Sequence, residues 1–352
     1  MLLTTGAFLL MLALLVIVHE LGHFFTARAF GVKVEEFGVG FPPRLFSVKR
    51  GDTRYSLNAI PLGGFVKLAG EENPGVPGSL AGKPRRVRVL VLAAGALMNA
   101  ILPVLLFTVA FVLPRDIVVS QVMIEKVAPD SPAAAAGIRE GDVILQVAGE
   151  PIRNTGELSR AIELNRGKEI TLVVRQSDSS VATVNVIPRW QPPPGQGAVG
   201  INIKAVNPEI VKESYPLWQA IPLGFEECVQ TYVLFKNAII SMVIGTTPVA
   251  LAGPVGIAEI TGEAARAGIS PLLEFAAFLS INLAIVNILP LPALDGGRIA
   301  FVVLEWLRRG RRVSPRVEGI VHLIGFAMLM ALMLAITYQD IIRIARGESL
   351  IP

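Results

Sequence analysis

Three residues within five positions, His19, Glu20 and His23, have the types and spacing to activate water on a metal. In a helix, His19 and His23 stand one turn apart on the same face, where two imidazoles can share one zinc ion. Glu20 lies beside that ion and can take a proton from a bound water, the chemistry of a His-Glu-x-x-His pattern. The setting is costly for such groups, because the trio interrupts an apolar run from Ala7 to Phe30 that reads as membrane-spanning. A charge at mid-membrane costs about 2.5–3.5 kcal/mol on insertion scales, so polar groups kept there point to function. Two of the chain's three His fall in this motif and there is one Cys, which excludes a zinc finger and any intramolecular disulfide. Two imidazoles leave the site short of a third ligand, which has to lie elsewhere in the chain.

The elements that position the motif follow from composition. The 352 residues are 52% hydrophobic and only 17% charged, against about a quarter charged in soluble domains. The length suggests two or three domains, part of them in membrane. Met1 to about Ala27 forms the first apolar helix; it lacks a basic leader and carries the His-Glu-His trio, so it reads as retained rather than as a signal peptide. Residues 28–88 contain eleven Lys and Arg. The net charge of +4 is modest, and its gathering beside apolar runs marks a cytoplasmic loop at a lipid surface, with no nucleic-acid partner indicated. Within this loop, 55–68 reads as two short strands around a Gly-rich turn at Gly63 and Gly64. It is either an ordinary hairpin or an exposed edge, Gly63 to Val66 with Phe65, able to pair with an extended substrate.

Val87 to about Val112 is a second membrane helix. Its Gly95 reads as a packing residue for close helix approach, and its Asn99 as a buried polar side chain able to orient a first-helix ligand. Residues 118–189 are soluble in character, with a helix start at Ser131-Pro132, a helix at 155–164, and strands at 169–175 and 182–187. Their order, and the run PDSPAAAAGIREGDVILQVAGEPI, resemble a PDZ domain. Such folds bind extended peptides by strand addition, and a plug or size filter that binds nothing is the other reading. Pro192–Gly195 is a linker. From Tyr215 to about Leu251, Gln230, Asn237 and Ser241 form a polar stripe and Lys236 interrupts the apolar run, which suggests an amphipathic helix lying in the membrane interface. Cys228 within it reads as a small core residue.

A third membrane helix runs from about Leu272 to Leu289 and a fourth from about Glu318 to Ile341. Between them stand Asn287, Asp295-Gly296-Gly297 and the basic run 308–312. Asp295 is open to two readings, a cap for the next helical segment or the missing third metal ligand. His322 reads as packed or interfacial. With four spans, both basic loops lie inside, and His19, His23 and Asp295 fall toward the same cytoplasmic side. A fifth span at 229–251 would separate Asp295 from the two His, which favours the interfacial reading.

Taken together, His19-Glu20-Leu21-Gly22-His23, Gly95-x-x-x-Asn99, the PDZ-like run, Gly253-Pro254 and Asn287…Leu294-Asp295-Gly296-Gly297 resemble the site-2 proteases, intramembrane zinc metalloproteases, close to the bacterial RseP type but with room for a single PDZ domain. The resemblance implies a polytopic α-helical membrane protein of about four transmembrane helices with an inserted α+β PDZ domain and a membrane-associated β-hairpin. The expected blocks are 1–117 with the first two helices and the hairpin at about 55–68, 118–190 as the PDZ domain, 191–271 as linker and interfacial helix, and 272–352 with the last two helices. It implies Zn2+ held by His19, His23 and Asp295, with Glu20 as base. Asn287, or Asn99, is the candidate donor to an oxyanion or to substrate backbone, and Gly63, Gly64, Phe65 and Val66 the strand edge that presents substrate. Expected substrates are single-span membrane proteins, such as anti-sigma factors or signal-peptide remnants, cut after a first extracytoplasmic cleavage. The expected location is a bacterial plasma membrane, with the PDZ domain outside and open to peptide C-termini. A non-catalytic PDZ adaptor with a structural metal site is the competing reading; Glu20 argues against it, since a structural site needs no base.

Overall fold

The computed structural model describes residues 2–71, 73–246 and 252–347. They form two compact units, one of residues 2–71, 73–110, 220–224 and 252–347, the other of 111–219 and 225–246.

The first unit opens with α1 (Leu2–Ala29), which carries the His-Glu-His trio in its second half. Two long strands follow, β1 (Val34–Arg50) and β2 (Thr53–Leu68), so the hairpin turns at Gly51-Asp52 and 55–68 is one strand, not two. Gly38, Gly40, Pro42 and Pro43 hide β1 from a propensity reading, since such residues are depleted in strands. Both strands bend, so that residues 36–39 of β1 pair on one side with 54–57 and on the other with 64–67. Gly64 to Lys67 thereby become an outer edge of the sheet, and Gly63 lies within β2 with φ of +99°. Next, α2 (Arg85–Val112) packs on α1: a side chain at Gly22 would collide with the Ala94 carbonyl.

The second unit contains β3 (Arg115–Val127), α3 (Pro132–Ala135), β4 (Val143–Val147), β5 (Glu150–Pro151), α4 (Thr155–Leu164), β6 (Ile170–Arg175), β7 (Val181–Val186) and β8 (Ile201–Glu213). The strands make one sheet in the order β7-β6-β4-β3-β8, with β5 on β4. Ser131 caps α3 by accepting from the Ala134 amide at 3.1 Å, the satisfaction that a first helical turn needs. Val122, Ile124, Ile144, Leu158 and Leu172 form the core, each at most 1% exposed. β8 pairs with β3 from Val127↔Ile201 to Arg115↔Glu213, so the sheet extends beyond 190 and the stretch taken as linker supplies its edge strand.

α5 (Leu217–Val243) closes this unit through its polar stripe. Asn237 donates to the Glu163 carbonyl at 2.6 Å, and Arg160 pairs with Glu227 at 2.6 Å and donates to Gln230 at 3.3 Å. The stripe thus satisfies the end of α4, while Val229, Ile239 and Val243 are exposed on the helix. Cys228 is buried. The last residues of the expected interfacial segment, 247–251, lie outside the described residues.

The first unit resumes with α6 (Pro254–Ala267), α7 (Ile269–Ile288), α8 (Asp295–Leu307) and α9 (Pro315–Ala345). Four described helices are long and apolar enough to cross a membrane: α1, α2, α7 and α9. The 28 residues of α1 span about 42 Å at 1.5 Å per residue, more than the hydrocarbon core.

Candidate metal centre

The fold brings the motif together with a residue more than 270 positions away, at the head of α8. His19 Nε2 and His23 Nε2 lie 3.2 Å apart, and Asp295 Oδ2 lies 3.1 Å from the first and 3.2 Å from the second. A tetrahedral zinc centre with bonds of about 2.0–2.2 Å has ligand atoms roughly 3.3–3.5 Å apart, so this triangle is close to one face of such a site.

Hydrogen bonding decides what these atoms offer. His23 Nδ1–H donates to the Val91 carbonyl at 2.8 Å, which leaves the Nε2 lone pair of a neutral imidazole facing inward. His19 Nδ1 lies 3.5 Å from Asn99 Nδ2, and Asn99 Oδ1 is buried without a partner. With the amide turned so that Oδ1 faces His19, it accepts from His19 Nδ1–H, and both groups are satisfied. Two imidazole lone pairs and a carboxylate then converge with no proton between them. That arrangement repels itself unless a cation sits at its centre, and the donor set, two imidazoles and a carboxylate, suits zinc.

Each ligand is positioned by a local feature of the sequence. Any Cβ at Gly95 would overlap the imidazoles of both His19 and His23, so this glycine is a clearance for the centre, beyond the packing role its spacing suggests. Asp295 is the first residue of α8 and makes no side-chain cap, which removes the capping reading. At Gly296 a Cβ would overlap the carbonyls of Ile288 and Leu289, and at Gly297 that of Leu291, so the chain folds back tightly because both positions lack a side chain. His322 on α9 holds this turn, accepting from the Ala293 amide at 2.8 Å; the helix offered a lone His with no sign of that partner.

Glu20 is half-buried beside the triangle, within electrostatic reach of His19, His23 and Asp295, with its carboxylate toward the Val66 backbone amide. The Gly63–Val66 edge therefore borders the same site, and Gly63 packs toward Val16 of α1. Asn287 sits half-buried near the end of α7, and its side chain makes no hydrogen bond among the described residues. Ser280 donates to the Asn99 carbonyl at 2.8 Å, tying α7 to α2 one turn below the centre.

Comparison with known proteins places the chain among peptidases. The model of peptidase family M50 matches residues 7–332. A Clostridium perfringens protein provisionally named a zinc metalloprotease is 38% identical over 339 residues, covering 95% of this chain and 97% of that one. The zinc metalloprotease RasP of Oceanobacillus iheyensis is 28% identical over 97% of this chain and 99% of its own length. The regulator of sigma-W protease RasP of Bacillus subtilis is 29% identical over the same shares.

Proposed function

The chain belongs to peptidase family M50, and from that membership we propose that it is a zinc-dependent endopeptidase that cuts transmembrane segments inside the bilayer. The observation that carries the reading is the convergence of His19 Nε2 and His23 Nε2, on a helix apolar enough to span, with Asp295 Oδ2 from the head of α8, beside the Glu20 carboxylate.

In this reading His19, His23 and Asp295 hold the metal. When bound, zinc supplies Lewis-acid polarisation of the scissile carbonyl and of the attacking water. Glu20 removes the water's proton as its oxygen joins the carbonyl carbon, and returns a proton to the amide nitrogen as the C–N bond breaks. Val91 and Asn99 hold the imidazoles in one tautomer and orientation. Asn287 supplies a donor to the oxyanion.

A transmembrane helix hides its carbonyls in its own hydrogen bonds, and each unsatisfied group costs several kcal/mol in lipid. The β2 edge from Gly63 to Val66 supplies replacement partners, so the substrate is cut as an extended strand. Exposed Phe41, Leu45, Phe46 and Val48 on β1 suit a hairpin that enters the membrane. Residues 115–213 act as a PDZ domain on the extracytoplasmic side, receiving C-termini left by a first cut, with the metal toward the cytoplasm; the charge of the 28–88 and 308–312 loops supports this orientation. Substrates are single-span membrane proteins, anti-sigma factors and signal-peptide remnants among them.

The test is cleavage of a trimmed single-span substrate by purified chain before and after chelation. The reading expects activity that chelator abolishes and zinc restores; cleavage indifferent to chelation rejects it.

A further inference from the structure

About 15 Å along α8 from Asp295, the same helix faces a second site of a different chemistry. A groove of about 870 Å3 runs between the start of α2 and the end of α8. Its walls are apolar, with Leu90 48%, Val303 42% and Trp306 70% exposed. Its rim is cationic: Lys83, Arg85, Arg86 and Arg312 line it with a single carboxylate, Glu305.

That carboxylate is 5% exposed and already over-compensated. Arg85 donates to it at 3.2 Å, Arg312 stands 3.4 Å away, and buried Arg88 also pairs with it. Burial pushes the Glu305 carboxyl up, but hydrogen bonds from Arg88 and Arg85 outweigh this and hold it below the ordinary glutamate range. Glu305 is thus an anion that fixes three guanidiniums in place without balancing them. Lys83 and Arg86 form no ion pair among the described residues, and Arg86 is exposed. Fixed cations at one end of an apolar groove, at the first turn of a membrane-length helix and beside an exposed Trp, match an amphiphile with an anionic head and acyl tails.

We propose that this groove binds an anionic glycerophospholipid, its phosphate among Lys83, Arg85, Arg86 and Arg312 and an acyl chain along Leu90, Val303 and Trp306. The inference is independent of the protease reading, since it needs only that α2 meets a bilayer. Occupancy would brace α8 at the end opposite Asp295.

The test reads Trp306 directly. The full chain is placed in phosphatidylcholine bilayers containing equal fractions of brominated phosphatidylglycerol or brominated phosphatidylcholine. The component of fluorescence quenching that disappears in W306F is taken as that of Trp306. The expected result is markedly stronger quenching by the anionic lipid, unaffected by added inorganic phosphate. In K83Q/R86Q with unchanged zinc content, the preference should fall by roughly thirtyfold, two charges near an anionic head being lost at about 1 kcal/mol each. Equal quenching by both lipids in the native chain overturns the proposal, leaving ordinary boundary lipid. So does a preference abolished by inorganic phosphate, which would mean an anion site alone, or a preference untouched by K83Q/R86Q.

Discussion

At Gly95 one methyl group decides whether the centre can form. The added carbon of Gly95→Ala would stand where His19 and His23 present their inner faces. The variant should bind well under half the zinc of the native chain, by metal analysis of purified protein, and lose cleavage with it. Full zinc occupancy in Gly95→Ala would show that the helices separate without penalty. Asn99 acts through its hydrogen bond to His19 instead. Removing such an outer partner typically costs 10–100-fold in metal affinity, so Asn99→Ala should weaken zinc binding by about that factor, read by competition with a chromophoric chelator. Unchanged affinity would leave Asn99 a packing residue. The pairing of His19 and His23 was legible from a four-residue spacing. Asp295 was legible only through the family resemblance, since a lone carboxylate ahead of two glycines suits a helix cap equally well; the structure makes Leu294 the cap residue and puts Asp295 Oδ2 at 3.1 Å and 3.2 Å from the two imidazoles.

Among the elements, those with unbroken apolar runs could be read from sequence, and α4 falls on the expected 155–164. Elements whose partners are distant could not. β1 carries two glycines and two prolines, and its residues 36–39 are held between 54–57 and 64–67, the latter some 25 to 31 residues on. β8 follows a Pro-rich run and is a strand because β3 offers it an edge. The stripe of α5 reads as a water-facing surface, yet its Asn237 is 3% exposed because α4 needs the donor. Two predictions belong at this scale. Val66→Pro removes the amide facing Glu20 on the β2 edge, so cleavage should fall at least tenfold with zinc content intact, as the presentation of an extended substrate requires; native-rate cleavage would contradict it. Glu213 links the outer ends of β3 and β8: burial raises its carboxyl, but Arg153, Tyr215 and Arg115 outweigh that and lower it below its ordinary value of 4.5. A depressed carboxylate stabilises the fold above that value and ceases to do so as pH falls through its folded value. Glu213→Gln should therefore speed hydrogen exchange of the 209–213 amides at neutral pH, by a factor of a few for a pair of this exposure, and the difference should close in acid as pH falls below the ordinary 4.5 through the lowered folded value. A difference that persists in acid would mean the effect is not electrostatic.

For the whole molecule, the proposed orientation rests on the charges of the loops and the proposed chemistry on a metal held by the three converging ligands. In intact cells, with the single native cysteine replaced by Cys228→Ser, a membrane-impermeant maleimide should label Ser180→Cys and spare Arg311→Cys. The reverse pattern would invert the topology and move the centre toward the outer face. The central claim is that this family M50 chain hydrolyses peptide bonds within the membrane, with Glu20 as the base beside a zinc held by His19, His23 and Asp295. It is tested most directly by one comparison: cleavage of a trimmed single-span substrate by the reconstituted full chain and by Glu20→Gln, with zinc measured in both. The account predicts equal zinc, a product cut inside the apolar segment from the native chain, and a loss of at least about 100-fold in the variant, the scale of a general base. Equal cleavage by a zinc-replete Glu20→Gln, or no cleavage by a zinc-replete native chain, would contradict it.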